Sequence, residues 1–166
     1  MSKLVVLSGV PGSGKSYICD LLKKIKKKHV YVVSSDAIRT MILGDQQDLS
    51  ADKLMWKMFY ELPKVYALDK DAVVLLDACH ATPEIRTNNI KELIPLFDDV
   101  TLVMYDLDKE LVYNQNIRRE FPVPQSVLDS FYNGYFKTLS ALDEQTYDHI
   151  YVIKKPTELA TLIDNI

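Results

Sequence analysis

Cysteine and histidine are scarce in this chain, with two of the first and three of the second among 166 residues. Cys19 and Cys79 lie far apart and the histidines are scattered, so the close ligand spacing of a zinc site is missing. No apolar run approaches the roughly 20 residues that a membrane-crossing helix needs. Met1-Ser2-Lys3 and the four apolar positions after it are too short for a secretory signal, so reduced thiols and a cytoplasmic setting are expected. Positive charge is not in excess either. Twenty Lys and Arg against 23 Asp and Glu leave a net charge of -3, so no global field draws nucleic acid, and any polymer substrate must be gripped by local contacts. What is present suffices for one core: 48% of the residues are hydrophobic, and residues 1–166 read as a single domain without linker or repeat.

Glycine is also rare, and its placement is informative. Three of the five glycines fall within residues 4–16, which read Leu-Val-Val-Leu-Ser-Gly-Val-Pro-Gly-Ser-Gly-Lys-Ser. The pattern G-x-x-x-x-G-K-[ST] is met by Gly9, Gly14, Lys15 and Ser16, with Gly12 adding a further flexible position. Such a loop turns successive N–H groups toward one anion, while the lysine reaches the β- and γ-phosphates and the serine hydroxyl ligates Mg²⁺. A strand before it and a helix after it, whose positive end faces the same phosphates, supply the context the motif requires. Nucleoside-triphosphate binding is therefore expected.

Short apolar runs alternate with helical patterns along the rest of the chain. The runs are Lys3 to Ser8, His29 to Ser34, Ala72 to Leu76, Val100 to Tyr105 and His149 to Ile153. Their near-continuous apolarity suits parallel strands covered on both faces. After the loop, Ile18, Leu21, Leu22 and Ile25 form a helical stripe, and the lysines from 23 to 28 read as its solvated, cation-rich end. Further helices are predicted over Asp36 to Leu43, Ala51 to about Asp69 with a kink or restart at Pro63, Pro83 to Phe97, Pro124 to Leu142 and Thr157 to Asp164. The expectation is a doubly wound α/β fold: a five-stranded parallel sheet with helices on both faces and a helical lid over about 108–124.

In such a sheet ligands lie beyond the carboxyl ends of the strands, which selects the remaining candidates. Asp36, just past the second strand, reads either as a helix cap or as a general base that takes a proton from an attacking hydroxyl. Arg39, at i+3, either pairs with Asp36 or holds an anionic group of the acceptor. Asp77 ends the third strand, where a carboxylate commonly sits near Mg²⁺. Thr82-Pro83 reads as a helix start. His80, in the loop between, is either solvated or lines the acceptor site. Arg118 and Arg119 precede a Pro122-Val123-Pro124 break, and an arginine in a mobile lid would offset charge on the transferring phosphate; only one of the two can point at the site.

Together these residues resemble the kinase domain of T4-type polynucleotide 5′-hydroxyl kinases, over nearly the whole chain. The matching blocks are Gly9 to Ser16, Asp36-x-x-Arg39, the Asp77 strand with its helix to Arg86, and Glu110-Leu-Val through Pro124 to Val127-Leu128. The resemblance implies ATP held by Gly12, Ser13, Gly14, Lys15, Ser16 and Tyr17, with Mg²⁺ on Ser16. It implies Asp36 as general base, Arg39 on the acceptor phosphate and Arg118 as the lid arginine on the donor phosphates. It places Asp77 at a carboxylate linked to activity and Lys154-Lys155-Pro156 where related kinases contact adenine; Asp77 and His80 are taken with Asp36 and Arg39 as the candidate substrate-binding residues.

Departures from the family concentrate toward the acceptor. Tyr17 stands where a Ser or Thr is usual, Cys79 and His80 where Thr and Asn are frequent, and Asn114 where the phage enzyme is basic. Asp106-Leu107-Asp108 falls inside the kinase fold, so a 3′-phosphatase activity is not expected. Three functions stay open from sequence: a kinase of nucleic-acid 5′ ends or 3′-nucleotides, a kinase of a small-molecule hydroxyl such as a nucleoside, sugar or antibiotic, and a nucleotide-binding regulatory module.

Overall fold

The computed structural model describes residues 1–26, 29–139 and 146–166. Five strands, β1 (Lys3–Ser8), β2 (Val30–Ser34), β3 (Val73–Asp77), β4 (Asp99–Tyr105) and β5 (His149–Ile153), form one sheet in the order β2-β3-β1-β4-β5. Every pairing is parallel. The central strand is buried on both faces, with Leu4, Val5, Val6 and Leu7 all at 0% exposure. Burial of each such side chain is worth about 1.5–3 kcal/mol, which is why this run is uninterrupted by polar residues.

Helices cover both faces of the sheet, the doubly wound arrangement of phosphate-loop kinases. They are α1 (Lys15–Lys26), α2 (Ser35–Leu43), α3 (Asp52–Tyr66), α4 (Pro83–Asn88), α5 (Lys109–Ile117), α6 (Gln125–Leu139) and α7 (Leu159–Asn165). From β1 the chain crosses to β2 on one side, and from the adjacent β3 it crosses to β4 on the other. Neighbouring strands whose connections part in this way open a crevice at their carboxyl ends. The register sets what meets there, because Ser34 pairs with Asp77 and Val6 with Leu76.

Several boundaries differ from the sequence expectation. The third helix runs through Pro63 without restarting, because the proline falls in the closing turns, is itself buried, and follows the fully buried Met55 and Phe59. It ends at Tyr66 rather than near Asp69. The helix expected over Pro83 to Phe97 stops at Asn88, and a 3-10 turn at Ile94–Leu96 follows. Paired asparagines compete for the helix backbone and Pro95 lacks an N–H, so the segment bends to bury Ile90 and Leu93 instead. The last helix begins at Leu159 behind a 3-10 turn over Pro156–Glu158. Lys27 and Lys28 of the lysine run, and residues 140–142 of the expected sixth helix, lie outside the described residues.

Candidate active site

The turn between β1 and α1 takes the shape its glycines permit. Gly12 and Gly14 have φ of +83° and +97°, in the left-handed region that side chains disfavour. A Cβ on Gly9 would come within 2.7 Å of Ser13 Oγ. Lys15, nearly buried at the start of α1, donates from Nζ to the carbonyls of Gly9 and Val10, both at 2.9 Å, and lies 3.4 Å from Ser13 Oγ. Its ammonium thus sits inside the loop, at the positive end of α1.

Ser16 Oγ donates to Asp77 Oδ2 at 2.7 Å, joining the loop to the end of β3. Burial raises the Asp77 pKa, while Lys15 and the Ser16 bond pull it down and Asp36 and Asp20 add to the rise. A hydroxyl beside a carboxylate is an oxygen donor set of the kind Mg²⁺ takes, with water and phosphate supplying its other ligands. Among the described residues there is no group of three His, Cys, Asp or Glu that would hold a metal alone. Tyr17, 61% exposed, is among the residues that line the cleft.

Across the cleft, Ser34 and not Asp36 caps α2, accepting from Ala37 N at 3.3 Å. Asp36 is thereby released from capping and sits in the first helical turn with its side chain 47% exposed. Arg39, one turn on, is 11% exposed and held from several sides. Its Nε and Nη2 donate to Asp52 Oδ1 at 3.2 and 3.0 Å, its Nη1 reaches Asp36 Oδ1 at 3.4 Å, and its guanidinium lies 6.0 Å from the Trp56 ring centre. Arg39 thus pairs with Asp36, the first of its two sequence readings, and stands in the cleft wall.

The lid resolves the arginine pair. Arg118 ends α5 and points into solvent, outside the cleft, whereas Arg119 lines it and brings Nη2 to 4.0 Å from Asp36 Oδ2. Among the described residues, Arg119 Nη1 is buried without a hydrogen-bond partner. Of the two arginines, it is therefore Arg119 that borders the cleft. The reason is geometric: α5 stops at Ile117, and the turn that follows, closed by Arg119 N to Asn116 O at 3.1 Å, swings Arg119 inward.

His80 is not the solvated loop residue that one of its two readings expected. It is 2% exposed, with φ of +42°, and its Nδ1 bonds the Leu7 carbonyl at 2.8 Å, so that nitrogen carries the proton. Burial pushes its pKa down to about 4. With Ser8 Oγ donating to His80 O at 2.9 Å, the residue ties β1 to the loop after β3 and touches the cleft only from within its wall. Asp52 and Trp56, which hold Arg39, are the residues here that the sequence did not single out. The cleft that Arg39, Trp56 and Arg119 share with the loop has a volume of about 2340 Å³.

A parallel sheet in this order, with Lys15 in a glycine-rich turn and a carboxylate at the end of the neighbouring strand, is a phosphate-loop fold of the kind found in kinases. A family model described as an AAA domain matches residues 4–137, and the chain belongs to that family. No curated protein matches the sequence significantly. Among solved structures, Chaetomium thermophilum Kti12 in complex with ADP-AlF3 is similar with a TM-score of 0.69 and 15% identity, over 98% of this chain and 96% of that one. Aquifex aeolicus shikimate kinase is similar with a TM-score of 0.60 and 16% identity, over 98% and 92%. A fungal RNA kinase gives a TM-score of 0.64 at 19% identity, covering 99% of this chain but 44% of that one. These likenesses establish the fold, which acceptors as different as shikimate and RNA share.

Proposed function

We propose that the protein transfers the γ-phosphoryl group of ATP to the 5′-hydroxyl of a nucleic acid or 3′-nucleotide. The observation that carries this reading is the placement of Asp36 between two guanidinium groups, Arg39 at 3.4 Å and Arg119 at 4.0 Å, in a cleft that also contains the phosphate loop. A half-exposed carboxylate suits a general base for an incoming hydroxyl, and the flanking cations suit phosphates on either side of that hydroxyl. A volume of about 2340 Å³ exceeds the roughly 300–1,000 Å³ of ordinary small-molecule pockets, leaving room for a donor nucleotide and a nucleotide-sized acceptor.

In this reading the acceptor oxygen attacks the γ-phosphorus as Asp36 takes its proton. The bond from that phosphorus to the β–γ bridging oxygen breaks, and its electron pair leaves with ADP. Lys15 and Arg119 offset the charge on the transferring group, and the N–H groups of Gly12 to Ser16 hold the donor phosphates. Ser16, with Asp77 behind it, would hold Mg²⁺, and a metal there would supply further neutralisation of the donor oxygens. Arg39 binds the phosphate 3′ to the acceptor sugar.

One observation favours the alternative of a small-molecule hydroxyl acceptor: Arg39 is already engaged by Asp52 and Asp36, which lowers the charge it offers to a phosphate. Incubation with γ-labelled ATP and Mg²⁺ separates the readings. Label should pass to a 5′-hydroxyl oligonucleotide and to a 3′-nucleotide in preference to a panel of nucleosides and sugars. Transfer to a nucleoside or sugar alone would select the alternative, and no transfer to any acceptor would leave a nucleotide-binding module.

A further inference from the structure

The lid arginine faces the cleft because of a buried asparagine to which the sequence assigned no role. Asn116, 5% exposed near the end of α5, donates from Nδ2 to the Val123 carbonyl at 2.8 Å and accepts from Val123 N at Oδ1 at 3.0 Å. One side-chain amide thus reproduces a two-bond ladder rung and closes the segment 117–122 into a loop. Its own backbone carbonyl accepts from Arg119 N at 3.1 Å, so the residue fixes both the entry and the exit of the chain around Arg119. Within that loop Ile117 is 73% exposed and Arg118 points outward, while Arg119 alone of the two arginines lines the cleft.

The same residue rests on the phosphate loop. A Cβ on Gly12 would come 3.1 Å from Val112 O, 3.2 Å from Asn116 Cβ and 3.3 Å from Asn116 N. Helix α5 is therefore in close backbone contact with the turn that holds the donor, and its first turn is fixed by Asp108, which accepts from Glu110 N and Leu111 N. A buried amide with both ends satisfied resists displacement, because freeing it strands two backbone groups as well as its own. We infer that Asn116 is a positioning residue: it seats Arg119 beside Asp36 and ties that seat to Gly12, so that the arginine is set in place relative to the donor phosphates. The inference rests on the reading of Arg119 as the lid cation.

The test is a double-mutant cycle read by release of labelled phosphate from γ-labelled ATP to water, an activity that does not depend on which acceptor is correct. Affinity for a fluorescent ATP analogue and the melting temperature are measured beside it. Asn116→Ala should lower kcat at least about tenfold and leave the analogue's Kd within about twofold. Asn116→Asp keeps the acceptor for Val123 N but loses the donor, and should fall between Asn116→Ala and wild type. In an Arg119→Ala background, Asn116→Ala should cost less than about twofold further, since there is no longer an arginine to seat. Losses that multiply across the two sites, or a loss confined to Kd or to the melting temperature, would make Asn116 merely structural and overturn the inference while sparing Arg119. Wild-type kcat in Arg119→Ala would remove the underlying reading, and the inference with it.

Discussion

The phosphate-loop wall of the cleft is made by residues 9–16 and a single strand neighbour, Asp77, whereas the facing wall gathers Asp36 and Arg39 from α2, Asp52 and Trp56 from α3 and Arg119 from the lid. On the first wall, bonds run between residues a few positions apart, and left-handed glycines set the shape. On the second, two arginines and two carboxylates from three elements hold one another, and none has its geometry without the rest. A wall of the first kind tolerates little change of sequence and serves any acceptor. A wall of the second kind can be re-drawn one side chain at a time, which is where kinases on one fold diverge in substrate.

If the walls divide the labour in this way, changes on the two should differ in kind as well as size. The largest effect is expected at Asp36. Asp36→Asn should lower kcat by about 10²–10⁴-fold with the melting temperature little changed, because the cap is Ser34 and the ion pairs lost with Arg39 and Arg119 are long and half-exposed. A fully active Asn variant would return Asp36 to a charge partner of Arg39. Lys15→Ala should cost about 10²–10³-fold with every acceptor alike, the mark of a donor-side group. An effect that depended on the acceptor would break the comparison.

Arg119→Ala should cost at least about tenfold more than Arg118→Ala, measured as kcat at saturating ATP; the reverse order would place the exposed arginine in the site. The smallest effect concerns stability rather than turnover. Burial holds the His80 pKa down at about 4, against 6.5 for the free side chain, so the unfolded chain takes up a proton that the folded one refuses. The contribution is full above about pH 6.5 and is lost as pH falls toward 4. The melting temperature should therefore drop between pH 7 and 5, and less steeply in His80→Asn, whose side chain also tolerates positive φ. Equal slopes would mean that His80 does not titrate in this way.

The donor wall was legible because its chemistry is written in consecutive residues. The loop motif and strands β1 and β5 lie where sequence placed them, and Asp77 is the last residue of β3, paired with Ser34. The facing wall was legible only as residue types. Nothing in the chain distinguishes Asp52 from other carboxylates as the partner of Arg39, since that depends on how α3 packs against α2. Arg118 and Arg119 are one residue apart, and the choice between them follows from where Asn116 clamps the loop, a contact seven residues along the chain. His80 read as a loop residue because its polarity suggests water, yet the Leu7 carbonyl gives it a buried partner. Helix α4 was overextended because apolar periodicity through Ile90 and Leu93 continues past the point where the paired asparagines and Pro95 end the helix.

The most direct test of the account compares a 3′-nucleotide with the matching nucleoside as acceptor, by kcat/KM with γ-labelled ATP, in wild type and in Arg39→Gln. A guanidinium on the 3′-phosphate is a charge-assisted contact of about 1.5–3 kcal/mol, or roughly ten- to hundredfold in preference for the 3′-nucleotide. Wild type should show that preference, and Arg39→Gln should lose most of it while changing nucleoside turnover little. A wild-type enzyme that prefers the nucleoside, or an Arg39→Gln variant that loses both acceptors equally, would contradict the assignment of this wall to a nucleic-acid end.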